Sequence, residues 1–336
     1  MTTVIPLLGV SFVIAATALW PLRRIALGFR IMDVPGPRKG HKEPVPYLGG
    51  IAILVGAGVA ILLLKPDLWP VLGLLAIMAC LGFVDDIKAL PVWVKLVGEV
   101  ALASTAIALG YSWHLTDSFV LNAGFSLLWI VGLTNSLNLL DNMDGLASTV
   151  AACSLIMTAA LVPATAGLTL PLAGAAIGFL IINRPYAKMY MGDTGSLMLG
   201  FGVAIGSIWA ANSTHGLHSF VILSFPVAIA IFDTSLVIVS RLMTGRPVQL
   251  GGQDHFSHRL RLLGMSPYVI LGVTVWGSSI AWACAALALL YPLAEAWLAV
   301  PIALAFVAAW VLLLRVDPYA VANQPRIEVY RDETGT

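Results

Sequence analysis

Asn135-Ser-Leu-Asn-Leu-Leu-Asp-Asn-Met-Asp-Gly145 closes an apolar run that begins near Ala123. A run of that length is expected to cross a bilayer, yet its last turns carry three amides and two carboxylates. On a helix, Asn135, Asn138 and Asn142 fall at i, i+3 and i+7. Asp141 follows Asn138 by three and Asp144 follows Asp141 by three, so the polar groups form one stripe. Gly145 is a natural stop. Ionisable groups at the end of a membrane helix are costly and point to function; the structural alternative is a polar cap at the membrane interface.

Working outward, the 336 residues are 59% hydrophobic and only 10% charged, with mean hydropathy +0.93. Soluble domains are nearer half apolar and a quarter charged. The chain therefore reads as an all-α polytopic membrane protein: one helical transmembrane domain over 1–316 and a short, loose polar tail over 317–336. A net charge of +1 argues against a nucleic-acid partner. Cys80, Cys153 and Cys284 lie inside apolar runs without metal-ligand spacing and read as small core residues. The first apolar run is followed by Arg23 and Arg24, the reverse of a secretory signal, so it counts as a span.

About eleven runs are long enough to span: 4–20, 47–64, 68–84, 94–111, 121–140, 145–163, 167–183, 195–211, 217–240, 267–290 and 295–314. With the N-terminus outside, the inside segments hold 17 of the 18 lysines and arginines, and only Lys65 falls outside. The positive-inside rule thus predicts N-terminus out and C-terminus cytoplasmic. The outside loops carry little chemistry; His215 and His218 stand three apart there with no carboxylate or cysteine beside them.

Every other polar cluster falls on the inside face. The first loop, Asp33-Val-Pro-Gly-Pro-Arg38-Lys39-Gly-His41-Lys42, is basic enough for phosphate, though a basic flank also sets topology. Asp85-Asp86 ends the third span and Lys95 opens the fourth. Adjacent carboxylates repel, so they suit a divalent cation or a cationic partner, or a solvated pair beside Lys88. Gly192-Asp193-Thr-Gly-Ser196 opens the eighth span and fits either a metal-ligating carboxylate at an anion-binding helix start or an N-cap turn. Asp233 lies inside the ninth span and needs a partner, Arg241 or a neighbouring helix. Beyond it, Asp254-His255-Phe-Ser-His258-Arg259 could be a zinc half-site but reads better as a phosphate clamp. Hard oxygen ligands point to Mg2+ or Mn2+ rather than zinc. Carboxylates, a metal and cations together suit a substrate with two phosphates and a second substrate that lives in the membrane.

Taken in order, Asp33-x-Pro…Arg38-Lys39-x-His41…Gly49-Gly50, Asp85-Asp86, Asn135-x-x-Asn138-x-x-Asp141-x-x-Asp144-Gly145, Asn183…Met191-Gly-Asp-Thr-Gly-Ser196 and Asp254-His255-x-x-His258-Arg259 resemble the polyprenyl-phosphate N-acetylhexosamine-1-phosphate transferases. The bacterial branch that begins O-antigen, enterobacterial common antigen or teichoic-acid linkage units is nearest, and the phospho-N-acetylmuramoyl-pentapeptide transferases are more distant. The resemblance implies transfer of a sugar-1-phosphate from a UDP-N-acetylhexosamine, UDP-N-acetylglucosamine foremost, to undecaprenyl phosphate in the bacterial cytoplasmic membrane, with release of UMP and a need for Mg2+. It implies Asp193 and Asp144 as metal ligands and Asp85 and Asp86 near the lipid phosphate. Asp141, Asn183 and Tyr190 would surround the nucleoside, with Tyr190 the only aromatic beside Asp193. Lys39 and Lys95 would meet phosphates, with His41 and Asn138 completing the substrate-binding set, and His255, His258 and Arg259 would hold the pyrophosphate or departing UMP. A homodimer is left open.

Two residues depart from the family pattern. Asn142 stands where glycine is usual, and Ser257 stands where the nearest branch often has another histidine. The absence of three consecutive histidines argues against a muramoyl-pentapeptide donor. A transporter would carry its coupling carboxylates near the bilayer midplane, but all except Asp233 lie at inside ends. A CDP-alcohol phosphotransferase would need an arginine that Asp144-Gly-Leu-Ala-Ser148 lacks.

Overall fold

The structure, a computed structural model, describes residues 4–33, 43–248, 252–291 and 295–319. Lys39 and His41 lie outside these residues. The helices are α1 (Val4–Phe29), α2 (Gly49–Leu64), α3 (Trp69–Ile87), α4 (Val92–Ala108), α5 (Phe119–Leu140), α6 (Leu146–Leu161) and α7 (Ala166–Asn183). They continue as α8 (Gly192–Ala211), α9 (Gly216–Ser224), α10 (Ala228–Met243), α11 (Phe256–Leu262), α12 (Pro267–Leu290) and α13 (Glu295–Leu314). Two short strands, β1 (Met32–Asp33) and β2 (Val45–Pro46), pair antiparallel with Met32 opposite Pro46.

α8 is the axis of the bundle. Nearly all of it is buried, and α2, α3, α5, α6, α7 and α9 pack around it. Lipid tails are as apolar as leucine, so helices in a bilayer associate through close packing of small side chains rather than through hydrophobicity. α8 supplies such a surface: a Cβ added at Gly200 would lie 2.7 Å from the Cα of Thr134 on α5. That backbone-to-backbone contact sets the polar end of α5 beside the start of α8.

Each predicted span falls on a helix, the ninth on the α9–α10 pair. Among the described residues six helices are long and apolar enough to cross a membrane, or seven with α9 and α10 taken as one span bent by 76°. The count therefore falls below eleven on length. α2 and α6 have 16 residues each, about 24 Å at 1.5 Å per residue, against a hydrocarbon core of about 30 Å. The bend falls at Phe225-Pro226-Val227, where Pro226 has no N–H to continue the helix. The protein is an all-α, multi-pass membrane protein, and the helix ends predicted to carry the chemistry meet at one end of the bundle.

Candidate active site

The N-terminus of α8 is built by a neighbour. Asp86, on the last turn of α3, accepts from Asp193 N at 2.8 Å and Thr194 N at 3.1 Å, and from the Thr194 hydroxyl at 2.6 Å. It serves as an N-cap supplied from another helix, satisfying donors that a helix start leaves open. Gly192 makes this approach possible. Its φ of +67° disfavours an L side chain, and a Cβ there would sit 2.4 Å from an Asp86 oxygen. With its neighbour spent on the cap, Asp85 is the member that faces charge. Its Oδ1 accepts from Leu90 N at 2.6 Å and its Oδ2 from Lys95 Nζ at 2.9 Å. Lys95 Nζ also donates to Asp193 Oδ2 at 2.8 Å, so one ammonium bridges α3 and α8. The partner of Asp85 is thus Lys95 rather than the nearer-in-sequence Lys88.

The central stretch closes the other side. Asn138 Nδ2 donates to Asp193 Oδ1 and to Ser196 Oγ, both at 2.9 Å. Asp141 follows the end of α5, where burial first, then the charges of Asp193, Asp86 and Asp144, push its carboxyl up to about 8. Asp144 Oδ2 accepts from Ala187 N at 2.9 Å. Asn183 is buried and braces the site. Its Oδ1 accepts from Gly145 N at 3.1 Å and its Nδ2 donates to Met189 O at 3.1 Å. Its amide is therefore used on main chain rather than turned to a nucleoside.

Tyr190 lies in the α7–α8 loop and is zipped to the first loop, Tyr190 N to Pro46 O at 2.9 Å and Gly49 N to Tyr190 O at 3.0 Å. This pairing brings in Tyr47, whose ring centroid lies 6.5 Å from that of Tyr190. Tyr190 is therefore not the sole aromatic at the site. Burial and the charge of Asp33 raise the Tyr47 phenol well above its ordinary value, with Asp86 and Asp193 adding to it. Burial and Asp144 raise that of Tyr190.

The histidine segment docks on the same end. Ser257 Oγ donates to Asn142 Oδ1 at 2.6 Å, so the two departures from the family pattern contact each other. Arg241 grips Asp254 through Nε at 2.7 Å and Nη2 at 2.8 Å, and Tyr319 donates its hydroxyl to Asp254 at 2.7 Å. Burial alone would raise the Asp254 carboxyl, but these hydrogen bonds hold it down at about 2. Residue 319, expected in a loose tail, is thus packed; residues 320–336 lie outside the described ones. Arg259 is 0% exposed. It donates to Asp254 O, Leu313 O, Val316 O and Ser240 Oγ at 2.6–2.9 Å, which turns it into the protein and away from any phosphate. The clamp predicted from Arg259 is in fact a structural tie. Asp233 likewise has its partner in His255 rather than Arg241, with His255 Nδ1 at 2.7 Å from Asp233 Oδ2. Burial, then His255, lower the His258 pKa to about 4, and its Nδ1 is buried with no hydrogen-bond partner among the described residues.

Sequence reasoning missed Glu99. It is 2% exposed on α4, one turn beyond Lys95, and accepts from Asn135 Nδ2. A lone carboxylate four residues after Lys95 in an apolar run was the signal that could have found it. Among the described residues no three His, Cys, Asp or Glu side chains converge closely enough to hold a metal ion. The donor type nevertheless fits a hard divalent cation. Lys95 bridges two carboxylates, while Asp141 and Asp144 stand near enough for Asp141 to feel three other negative charges.

Residues 68–211, from α3 through α8, match the sequence pattern of glycosyl transferase family 4. A Bacillus subtilis protein named "probable undecaprenyl-phosphate N-acetylglucosaminyl 1-phosphate transferase" is 32% identical over 73% of this chain and 74% of its own length. The decaprenyl-phosphate N-acetylglucosaminephosphotransferase of Mycolicibacterium smegmatis is 29% identical over 88% and 85%. The phospho-N-acetylmuramoyl-pentapeptide-transferase of Pelotomaculum thermopropionicum is 32% identical over 85% and 96%. The matched segment carries the Asp86 cap, the Lys95 bridge, the Asn138 contact and Asp193 itself. The chain belongs to glycosyl transferase family 4, among the polyprenyl-phosphate sugar-1-phosphate transferases that its motifs resemble.

Proposed function

We propose that this chain transfers N-acetylhexosamine-1-phosphate, from UDP-N-acetylglucosamine, to undecaprenyl phosphate and releases UMP, on the cytoplasmic face of the bacterial cytoplasmic membrane. The observation that carries the reading is Lys95 bridging Asp85 and Asp193 at the bundle end where α3, α4, α5 and α8 meet. A cation there, flanked by carboxylates at the ends of membrane-spanning helices, suits the meeting of a lipid phosphate with a diphosphate. The names of the Bacillus and Mycolicibacterium relatives support polyprenyl phosphate and N-acetylglucosamine over a muramoyl-pentapeptide donor.

Mg2+, or Mn2+ in its place, is proposed at Asp193 and Asp144, where it would neutralise diphosphate charge when bound. The rest falls to the chain's own residues. The acceptor is a phosphate with second pKa about 6, already a nucleophile at neutral pH, so no side chain need take its proton. Asp85 holds Lys95 toward the site and Asp86 holds the α8 N-terminus in shape; their work is positioning and electrostatics. The Tyr190–Tyr47 pair offers an aromatic face to the uracil. The test uses purified protein in detergent with undecaprenyl phosphate, Mg2+ and a panel of UDP-sugars, reading UMP. UMP release with UDP-N-acetylglucosamine supports the reading; release only with UDP-N-acetylmuramoyl-pentapeptide, or with none, overturns it.

A further inference from the structure

α10 contains a carboxylate that the proposed reaction does not account for. Asp233 is 0% exposed, and the five helix residues before it, Ala228 to Phe232, are all apolar. A buried charge in such a place must be paired. Arg241, two turns on, is already committed to Asp254 through Nε and Nη2 and to Val248 O through Nη1. Both oxygens of Asp233 go instead to one short segment: Oδ2 to His255 Nδ1 at 2.7 Å, and Oδ1 to Phe256 N at 2.8 Å.

That geometry has a chemical consequence. An ionised carboxylate only accepts hydrogen bonds, so opposite an ionised Asp233 the His255 proton sits on Nδ1. The hydrogen bond at one ring nitrogen decides what the other can do. Nε2 is then left with a lone pair in the neutral ring, or with the single outward N–H in the charged ring. The ring cannot turn over, because His255 is 2% exposed and the adjacent Phe256 N–H shares the same carboxylate. The segment is also fixed to the central stretch, Ser257 to Asn142 at 2.6 Å. An amide would have sufficed to cap Phe256 N; an anion is needed only if the ring itself is being held.

We infer that Asp233 is a positioning residue for the proposed transfer, fixing the tautomer and orientation of His255 so that His255 Nε2 is presented to the substrate. The inference rests on the reaction proposed above. It differs from a purely architectural role because Asp233 acts through one nitrogen of one residue.

The test is a double-mutant cycle in the full-length protein, reading UMP release. Asp233→Asn keeps shape and can still accept from Phe256 N–H, but its NH2 now faces Nδ1 and drives the proton to Nε2. Asp233→Asn and His255→Ala should each lower kcat about ten-fold or more, as loss of a group that orients a working ligand does. The KM for the UDP-sugar should stay within about two-fold in Asp233→Asn, and Asp233→Asn should cost nothing further on the His255→Ala background. Additive losses would overturn the inference, as would a harmless Asp233→Asn beside a damaging His255→Ala. A harmless His255→Ala removes His255 from the site and the inference with it, while leaving the reaction standing. A second measurement is independent of activity. Nitrogen-15 spectra of the six histidines, with His255 assigned by its loss in His255→Ala, should place the His255 proton on Nδ1 in the wild type and on Nε2 in Asp233→Asn. A wild-type ring protonated on Nε2 alone overturns the inference even if UMP release is found. Absence of UMP release with every donor, with the Nδ1 proton as expected, would instead sink the reaction.

Discussion

Asp85 and Asp86 are adjacent and chemically alike, yet the structure gives them different work. Asp86 satisfies two main-chain donors and a hydroxyl at the start of α8; Asp85 holds Lys95 and one loop N–H. Removing an N-cap costs about 1–2 kcal/mol, whereas a partly exposed ion pair is worth up to about 1 kcal/mol. Asp86→Ala is therefore expected to lower the thermal midpoint in detergent more than Asp85→Ala, and both to lower turnover. Equal midpoints, with the loss confined to turnover, would contradict the cap. Asp193 joins the two functions, because Lys95 and Asn138 converge on its carboxylate. Asp193→Asn removes charge while keeping volume and N-terminal geometry. It should cut UMP release at least about a hundred-fold, or about 2.7 kcal/mol, with an unchanged elution profile and melting curve. Near-normal turnover at ordinary Mg2+ would remove Asp193 from the metal set.

Among the elements, α11 is the one whose stability should respond to pH. It is seven residues long, too short to stand alone, and is held by Asp254, Arg259, Ser257 and the Tyr319 segment. The Asp254 carboxyl sits at about 2 when folded against 3.8 ordinarily, so its contribution is fully present above pH 3.8 and is lost as pH falls toward 2. His258 sits at about 4 when folded against 6.5 ordinarily. Between those values the unfolded segment binds the extra proton, so stability falls as pH drops from 6.5 to 4. Hydrogen exchange of the α11 amides should be pH-independent in protection above about pH 6.5 and lose protection stepwise below it. Tyr319→Phe should weaken that protection at neutral pH; unchanged protection would free the C-terminal segment from this role. The same helix shows where sequence reading stops. The motif Asp254-His255-x-x-His258-Arg259 was legible as a unit because residue types and spacing are local. That Arg259 turns inward to Leu313 O and Val316 O was not legible, since its acceptors are main-chain groups more than fifty residues away. Tyr47 stayed hidden for a similar reason, being placed beside Tyr190 by a backbone pairing that no side-chain pattern announces. Asn138 and the Asp193 turn were legible because polar groups stand out against apolar helix ends, but the expected helical stripe stops at Leu140, and Asp141 to Gly145 form the turn into α6.

For the whole molecule, contacts fix which helix ends share the site, and the charge pattern predicts which side of the membrane that end faces. α3, α5 and α7 end at the site and α4, α6 and α8 begin there, so successive helices alternate in direction even where α4 and α6 are short. The chain leaving α1 joins the site end, since Tyr47 N bonds Ile31 O and Gly49 N bonds Tyr190 O. α1 is a continuous helix of 26 residues, about 39 Å long, so its first residues lie at the far end of the bundle. The last described turns lie at the site end, because Arg259 binds Leu313 O and Val316 O while its neighbour Ser257 binds Asn142. Val4 and Tyr319, the first and last described residues, therefore lie towards opposite ends of the bundle. Charge then predicts the face: 17 of the 18 lysines and arginines fall in the segments expected inside from the sequence, and the positive-inside rule would put those segments in the cytoplasm. A nucleotide-sugar donor, water-soluble and multiply charged, would have to reach the site from that same side. A reporter active only outside should report when fused before Val4, and one active only in the cytoplasm should report when fused after Thr336. Both ends on one side would contradict the geometry, whereas opposite ends with the N-terminus inside would contradict only the charge rule and would put the site on the outer face.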